Sequence, residues 1–160
     1  MKDLLIIGTG NTAILAADVA SAIPDVNTVG FVESIDPARC ESDFEGLPVL
    51  WIDELADLAS DHLVVCSMPN AMQRPVVEKL AEVAVEYATL VHPTAVLSPT
   101  CAVAEGVIVC AQSVISAHAR IGPHAFVNRG VLVGHHTVIG PYATLLPGSN
   151  VAGFLSLIHI

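Results

Sequence analysis

The stretch LSPTCAVAEGVIVCAQSVISAHARIGPHAFVNRGVLVGHHTVIGPYATLLPGSNV, Leu97 to Val151, repeats with a period of six. Every sixth residue is aliphatic: Leu97, Val103, Val109, Ile115, Ile121, Val127, Val133, Ile139, Leu145 and Val151. Two residues before each stand Ala95, Cys101, Val107, Ser113, Ala119, Ala125, Val131, Thr137, Ala143 and Ser149, all small or β-branched. Gly122-Pro123 and Gly140-Pro141 mark turns. An amphipathic helix repeats every 3.6 residues, and a hairpin sheet would drift out of phase over ten units. A hexapeptide solenoid holds the phase. Three six-residue faces close a triangular coil of about eighteen residues, and each coil buries its aliphatic row on the next. The stretch is therefore expected to be a parallel β-helix, with Val103, Val109, Ile121, Val127 and Ile139 inside.

Upstream the pattern is different. Residues 3–8 form an apolar run of buried-strand type that ends in Gly8-Thr9-Gly10-Asn11-Thr12-Ala13, and Ala13 to Ile23 is Ala-rich and helical. A second strand runs from Val29 to Glu33. In this βαβ arrangement a helix N-terminus faces a phosphate, and an acid at the end of the second strand faces a ribose. Gly8, Gly10, Asn11, Thr12 and Glu33 are thus candidate nucleotide ligands. Further strands are expected at Pro48–Trp51, Leu63–Cys66 and Ala88–Val91, and helices at Asp53–Asp61 and Met72–Glu86. The alternation predicts an α/β domain with a small parallel sheet of about five strands. The expected organisation is a Rossmann-like domain over 1–90, a β-helix over 91–153, and a tail over 154–160. That tail lacks the small residues and the Gly turn, so it is expected to leave the repeat, as in a C-terminally truncated chain.

Charge divides the chain the same way. Fifteen of sixteen acids and four of six bases precede residue 87; beyond it stand only Glu105, Arg120 and Arg129. A formal charge of −10 is unsuited to binding nucleic acid. Although 53% of residues are apolar, no run reaches the ~18 of a membrane span. The Met1-Lys2-Asp3-Leu4 start has no signal-peptide pattern, so a cytoplasmic protein is expected. Cys40, Cys66, Cys101 and Cys110 lack metal or disulfide spacing, and no metal is expected.

The small α/β domain leading through Ala88-Thr89-Leu90-Val91-His92-Pro93-Thr94-Ala95 into hexapeptide repeats resembles the sialic-acid-type sugar O-acyltransferases. That family is similar to the acetyltransferases of UDP-4-amino-sugars and of perosamine. The resemblance implies a left-handed parallel β-helix, acetyl-CoA as co-substrate, a nucleotide-sugar held by the N-terminal domain, a homotrimer, and a role in surface glycan synthesis. The family's catalytic His-Asp or His-Glu pair is matched by His135-His136, before Val138-Ile139-Gly140. The resemblance therefore implies that His135 is the general base, while His136 replaces the acid and is read as a turn residue. It also implies that Arg74 pairs with a diphosphate and that Asn128 and Gly134 lie along the cofactor. Thr12 and Thr144 stand where members carry histidine. His92 is read as structural, and His118 and His124 as solvated turn residues.

The leading expectation is an acetyl-CoA-dependent acetyltransferase acting on a nucleotide-linked amino sugar. The alternatives are a non-catalytic nucleotide-sugar-binding or scaffolding trimer, an O-acetyltransferase of a sialic-acid-like sugar, and an NAD-dependent oxidoreductase. The last is disfavoured because about ninety residues are too few for a dinucleotide fold plus a substrate domain.

Overall fold

The computed structural model describes residues 2–68 and 70–157, and of Asn70 only the backbone. The chain forms two compact units, Met1–Ala88 and Thr89–Ile160.

In the first unit, β1 (Lys2–Ile7), α1 (Asn11–Ser21), β2 (Val26–Glu33), β3 (Val49–Trp51), α2 (Leu55–Leu58), β4 (Leu63–Cys66), α3 (Asn70–Lys79) and β5 (Glu86–Tyr87) follow in order. All five strands are parallel, in the spatial order β3-β2-β1-β4-β5. The continuous apolar run at the centre explains the buried position of β1: Leu4, Ile6 and Ile7 have no exposed surface. A strand covered on both faces needs apolar residues at every position and not only at alternate ones. The expected helix over Met72–Glu86 starts earlier and ends at Lys79, with Pro75 inside it. The helix expected over Asp53–Asp61 shrinks to α2 after a single 3-10 turn at Ile52–Glu54.

The second unit is a parallel β-helix built from two-residue strands. One face stacks β6 (Leu90–Val91), β9 (Ile108–Val109), β12 (Phe126–Val127) and β15 (Thr144–Leu145). The next stacks β7 (Val96–Leu97), β10 (Val114–Ile115), β13 (Leu132–Val133) and β16 (Asn150–Val151). The third stacks β8 (Ala102–Val103), β11 (Arg120–Ile121), β14 (Val138–Ile139) and β17 (Ser156–Leu157). Both rows seen in the sequence point inward. Val109, Ile121, Val127 and Ile139 are buried, as are Val107, Ala119, Ala125 and Val131 two residues before aliphatic rungs. Val103, in the first full coil, is only partly covered. Hydroxyls in the small row find carbonyls: Ser113 Oγ donates to Asn128 O and Thr137 Oγ1 to Ala152 O, each at 2.8 Å.

The corners explain why the period is six. From Gly106 onward every sixth residue has positive φ: Gly106, Gln112, His118, His124, Gly130, His136, Tyr142, Gly148 and Phe154. One left-handed residue per hexad turns the chain onto the next face.

Two expectations change at the ends of the solenoid. Leu90–Val91 pairs with Ile108–Val109 and so belongs to the β-helix, and the first unit's last strand is Glu86–Tyr87. The phase shows why, since Val91 lies six residues before Leu97. At the other end, Ser156–Leu157 pairs in parallel with Val138–Ile139. The coil therefore continues through Leu157 despite its atypical residues, and residues 158–160 of the tail lie outside the described residues. Among the described residues no helix is long and apolar enough to cross a membrane.

Candidate functional site

Each unit carries its own candidate site. In the first, the loop after β1 and the loop after β4 border a cavity of about 290 Å³, lined by Gly8, Thr9, Asn11, Glu33, Arg39 and Met68 among others. Gly8 has φ +120, and a Cβ there would lie 2.6 Å from Ser67 O, so any side chain would collide with backbone. The two loops are latched reciprocally. Thr12 Oγ1 donates to Ser67 O at 2.9 Å, and Ser67 Oγ donates to Thr12 O at 2.7 Å. Thr12, expected to touch substrate, therefore spends its hydroxyl on the scaffold. Gly10 precedes α1 in extended conformation, and Asn11 is the first helical residue, exposed.

Glu33 is buried, and its oxygens are used internally. Oε1 accepts the N–H groups of Ser34 and Ile35 at 2.7 Å and of Asp36 at 3.4 Å, while Thr9 donates its hydroxyl to Oε2. Burial pushes the carboxyl up, but the bonds from Thr9 and from the Ile35, Ser34 and Asp36 N–H groups outweigh it and hold it below its ordinary value. A group depressed in the folded state stabilises above its unfolded pKa, and that contribution is lost as pH falls through the folded value. Glu33→Gln should accordingly destabilise the first unit at neutral pH. By denaturant titration the gap to wild type should close as pH falls below about 4.

Arg39 is the residue that sequence reasoning missed. Its Nη1 donates to Thr9 Oγ1 at 2.9 Å and to Thr9 O at 3.4 Å, and it lies 3.8 Å from Glu33 Oε2. This places a cation at the cavity, yet no motif in the sequence marks it. Arg74, the expected phosphate partner, is exposed and donates to Glu78 Oε1 at 2.8 Å one helical turn on. It is not among the residues lining the cavity.

In the second unit His135 and His136 occupy the corner between β13 and β14. Neighbours in extended backbone point to opposite faces, which argues against both reaching one place. His136, however, has φ 56, and the left-handed corner brings the rings together, with Nδ1 to Nδ1 at 3.2 Å. His136 is an exposed turn residue, as expected, but the expectation that the two adjacent rings would not meet is corrected. Its ring stacks on Phe154 (centroids 4.9 Å, 17°) and lies 4.7 Å from His118. His118, His136 and Phe154 are equivalent corners of successive coils, and His135 meets Phe154 edge-on at 4.9 Å.

Gly134 is required by packing. A Cβ there would lie 2.4 Å from Gly153 N on the next coil. Asn128 stands at a different corner, between β12 and β13, where its Oδ1 accepts the N–H of Arg129 at 2.8 Å. The structure does not bring it to the histidine corner. His124, expected to be solvated, is buried. Its ring stacks on Tyr142 from the next coil (5.3 Å, 9°), while Gly106 from the previous coil leaves room. Burial lowers the His124 pKa, and the charge of Glu105 partly opposes that shift. The N–H of Thr94 donates to His92 Nδ1 at 3.1 Å, which ties the entry turn. The four cysteines are free. Among the described residues no cluster of three His, Cys, Asp or Glu could hold a metal.

No protein-family model matches this chain, and no curated protein does. Solved structures do. A His-to-Asn mutant of perosamine N-acetyltransferase from Caulobacter crescentus, in complex with CoA and GDP-perosamine, superposes with a TM-score of 0.85 at 27% identity. That match covers 98% of this chain and 74% of the other. WeeI from Acinetobacter baumannii gives 0.85 at 20% identity, over 99% and 76% of the two chains. The acetyltransferase domain of PglB from Neisseria gonorrhoeae gives 0.69 at 19%, over 100% and 92%. At such low identity the last two speak for the fold alone.

Proposed function

We propose that this chain, which shares its fold with the hexapeptide-repeat sugar acetyltransferases, transfers the acetyl group of acetyl-CoA to the amine of a nucleotide-linked sugar. The observation that carries the reading is an exposed imidazole, His135, at a coil corner with one ring nitrogen engaged by a neighbour. It stands in a chain that superposes over 98% of its length on an enzyme complexed with CoA and a nucleotide-amino-sugar. In this reading the amine attacks the thioester carbonyl carbon. His135 takes the proton that the amine loses, at the ring nitrogen left free by His136. The tetrahedral intermediate then collapses, the carbon–sulfur bond breaks, and the CoA thiolate leaves and is protonated. No covalent enzyme intermediate is needed.

The first unit would hold the nucleotide. Its strand order β3-β2-β1-β4-β5 corresponds to the dinucleotide-fold order over five strands, which supports the Rossmann-like assignment. The N-terminus of α1 at the cavity suits a diphosphate. Arg39 supplies the nearby cation, and Glu33 positions Thr9 and the loop instead of reading a ribose directly. Arg39→Ala should raise KM for the nucleotide-sugar about tenfold or more, the cost of one charge-assisted hydrogen bond, with kcat changed much less. Steady-state kinetics with the acceptor varied separate the two constants.

The same proposal includes a left-handed coil, a homotrimer, and a place in glycan synthesis in the cytoplasm, where acetyl-CoA is available. The trimer has support on one face. Val96, Val114 and Leu132 stack outward on successive coils, and Val96 and Leu132 are exposed. Sedimentation should find three copies. Thiol release from acetyl-CoA with GDP-perosamine and UDP-4-amino-sugars as acceptors tests the activity. Binding of both ligands without turnover would instead favour the non-catalytic scaffold.

A further inference from the structure

We infer that His136 is the positioning residue for His135, a neutral imidazole doing what a carboxylate does beside other catalytic histidines. The inference rests on the acetyl-transfer reading for its kinetic consequence, but its structural part stands on the corner itself. Two facing Nδ1 atoms at 3.2 Å need one proton between them, so one ring donates and the other accepts. If His136 carries its proton on Nε2, its Nδ1 accepts, and His135 must then be the Nδ1–H tautomer with Nε2 free as a base. When His135 gains a second proton, its Nδ1–H bond to His136 becomes charge-assisted and stronger.

Three features of the corner support this role. His136 is held on both sides, by Phe154 above and His118 below, so its Nδ1 is aimed and not merely near. The corner backbone is stitched to both neighbouring coils: His136 N donates to Ala117 O at 3.0 Å, and Phe154 N donates to His135 O at 2.9 Å. No carboxylate of this unit competes for the task. The only acid after residue 88 is Glu105, which lies at the corner between β8 and β9 and whose charge acts on His124. The titratable group facing His136 from the previous coil is His118, and the residue facing it from the next is Phe154, which does not titrate.

The test reads the tautomer directly. In protein labelled with ¹⁵N-histidine, long-range proton–nitrogen spectra should show His135 as the Nδ1–H form in the wild type. In His136→Phe, which keeps a ring in the stack but no acceptor, His135 should revert to the Nε2–H form that histidine favours in water. His136→Asn, which tolerates a left-handed φ and accepts through Oδ1, should keep the Nδ1–H form and confirm that the fold survives substitution. In kinetics, His136→Phe should lower kcat by about tenfold or more, the cost of one hydrogen bond that becomes charge-assisted as His135 takes the proton. An unchanged His135 tautomer in folded His136→Phe would overturn the inference. A wild-type protein with no acetyl transfer would overturn the enzymatic reading, and the spectra would still decide the dyad.

Discussion

His135→Ala is expected to lower the rate of acetyl transfer by about 10²–10⁴-fold, the range for removing a general base. A protonated ammonium cannot attack a thioester, and the amine must shed a proton as the new bond forms, so a base at the site acts on the transition state itself. Binding should change little, because the imidazole is invoked to move a proton and not to hold either ligand. A variant with lower kcat and unchanged ligand affinity has lost an interaction made only in the transition state. Isothermal titration with CoA and with nucleotide-sugar, beside single-turnover rates, separates the two. Near-normal turnover in His135→Ala would make this histidine a surface residue and move the base elsewhere.

The largest effect on stability is expected at the centre of the solenoid. Ile121 is buried and pairs in register with Val103 on one coil and Ile139 on the next. Its surroundings inside the coil are the aliphatic and alanine side chains of the same core. Ile121→Val removes one methylene and should cost about 0.5–1.5 kcal/mol. Ile121→Asp places a carboxylate where nothing can pair with it, and an unpaired buried charge costs several kcal/mol even after relaxation. In a linear array each coil depends on its neighbours, so a break in the middle removes the contacts that hold both halves. Thermal unfolding followed by circular dichroism should show Ile121→Val melting slightly early and Ile121→Asp without the cooperative solenoid transition. An Ile121→Asp protein that melts like the wild type would place this side chain outside the core.

The candidate sites were legible only in part. His135 was singled out only by the resemblance of His135-His136 to a family's catalytic pair, whereas the glycine loop could be placed after the first strand from the residues alone. The roles of the other candidates depended on which partners each side chain meets. Glu33 reads as a ribose ligand in one dimension, yet three backbone N–H groups and Thr9 occupy its oxygens. Arg74 is near the expected loop in sequence but bonds along its own helix, whereas Arg39, which no motif marks, reaches Thr9 across thirty positions of the chain.

What the sequence determined by itself was the β-helix, because one aliphatic residue in six satisfies one geometry and excludes the others. It also determined the apolar β1 and the division between an acidic α/β unit and a nearly uncharged solenoid. The turns follow from the phase of the repeat, but which residue takes the left-handed conformation and what it touches were decided by tertiary structure. Gly, Gln, His, Tyr and Phe all occupy the left-handed position, so no composition signals it, and its effect is felt eighteen residues away on the next coil. That spacing buries His124 under Tyr142, clamps His136 between His118 and Phe154, and turns two adjacent histidines toward each other. The period of six is local information, but what each corner touches is set by the stacking of coils, which no single hexad contains.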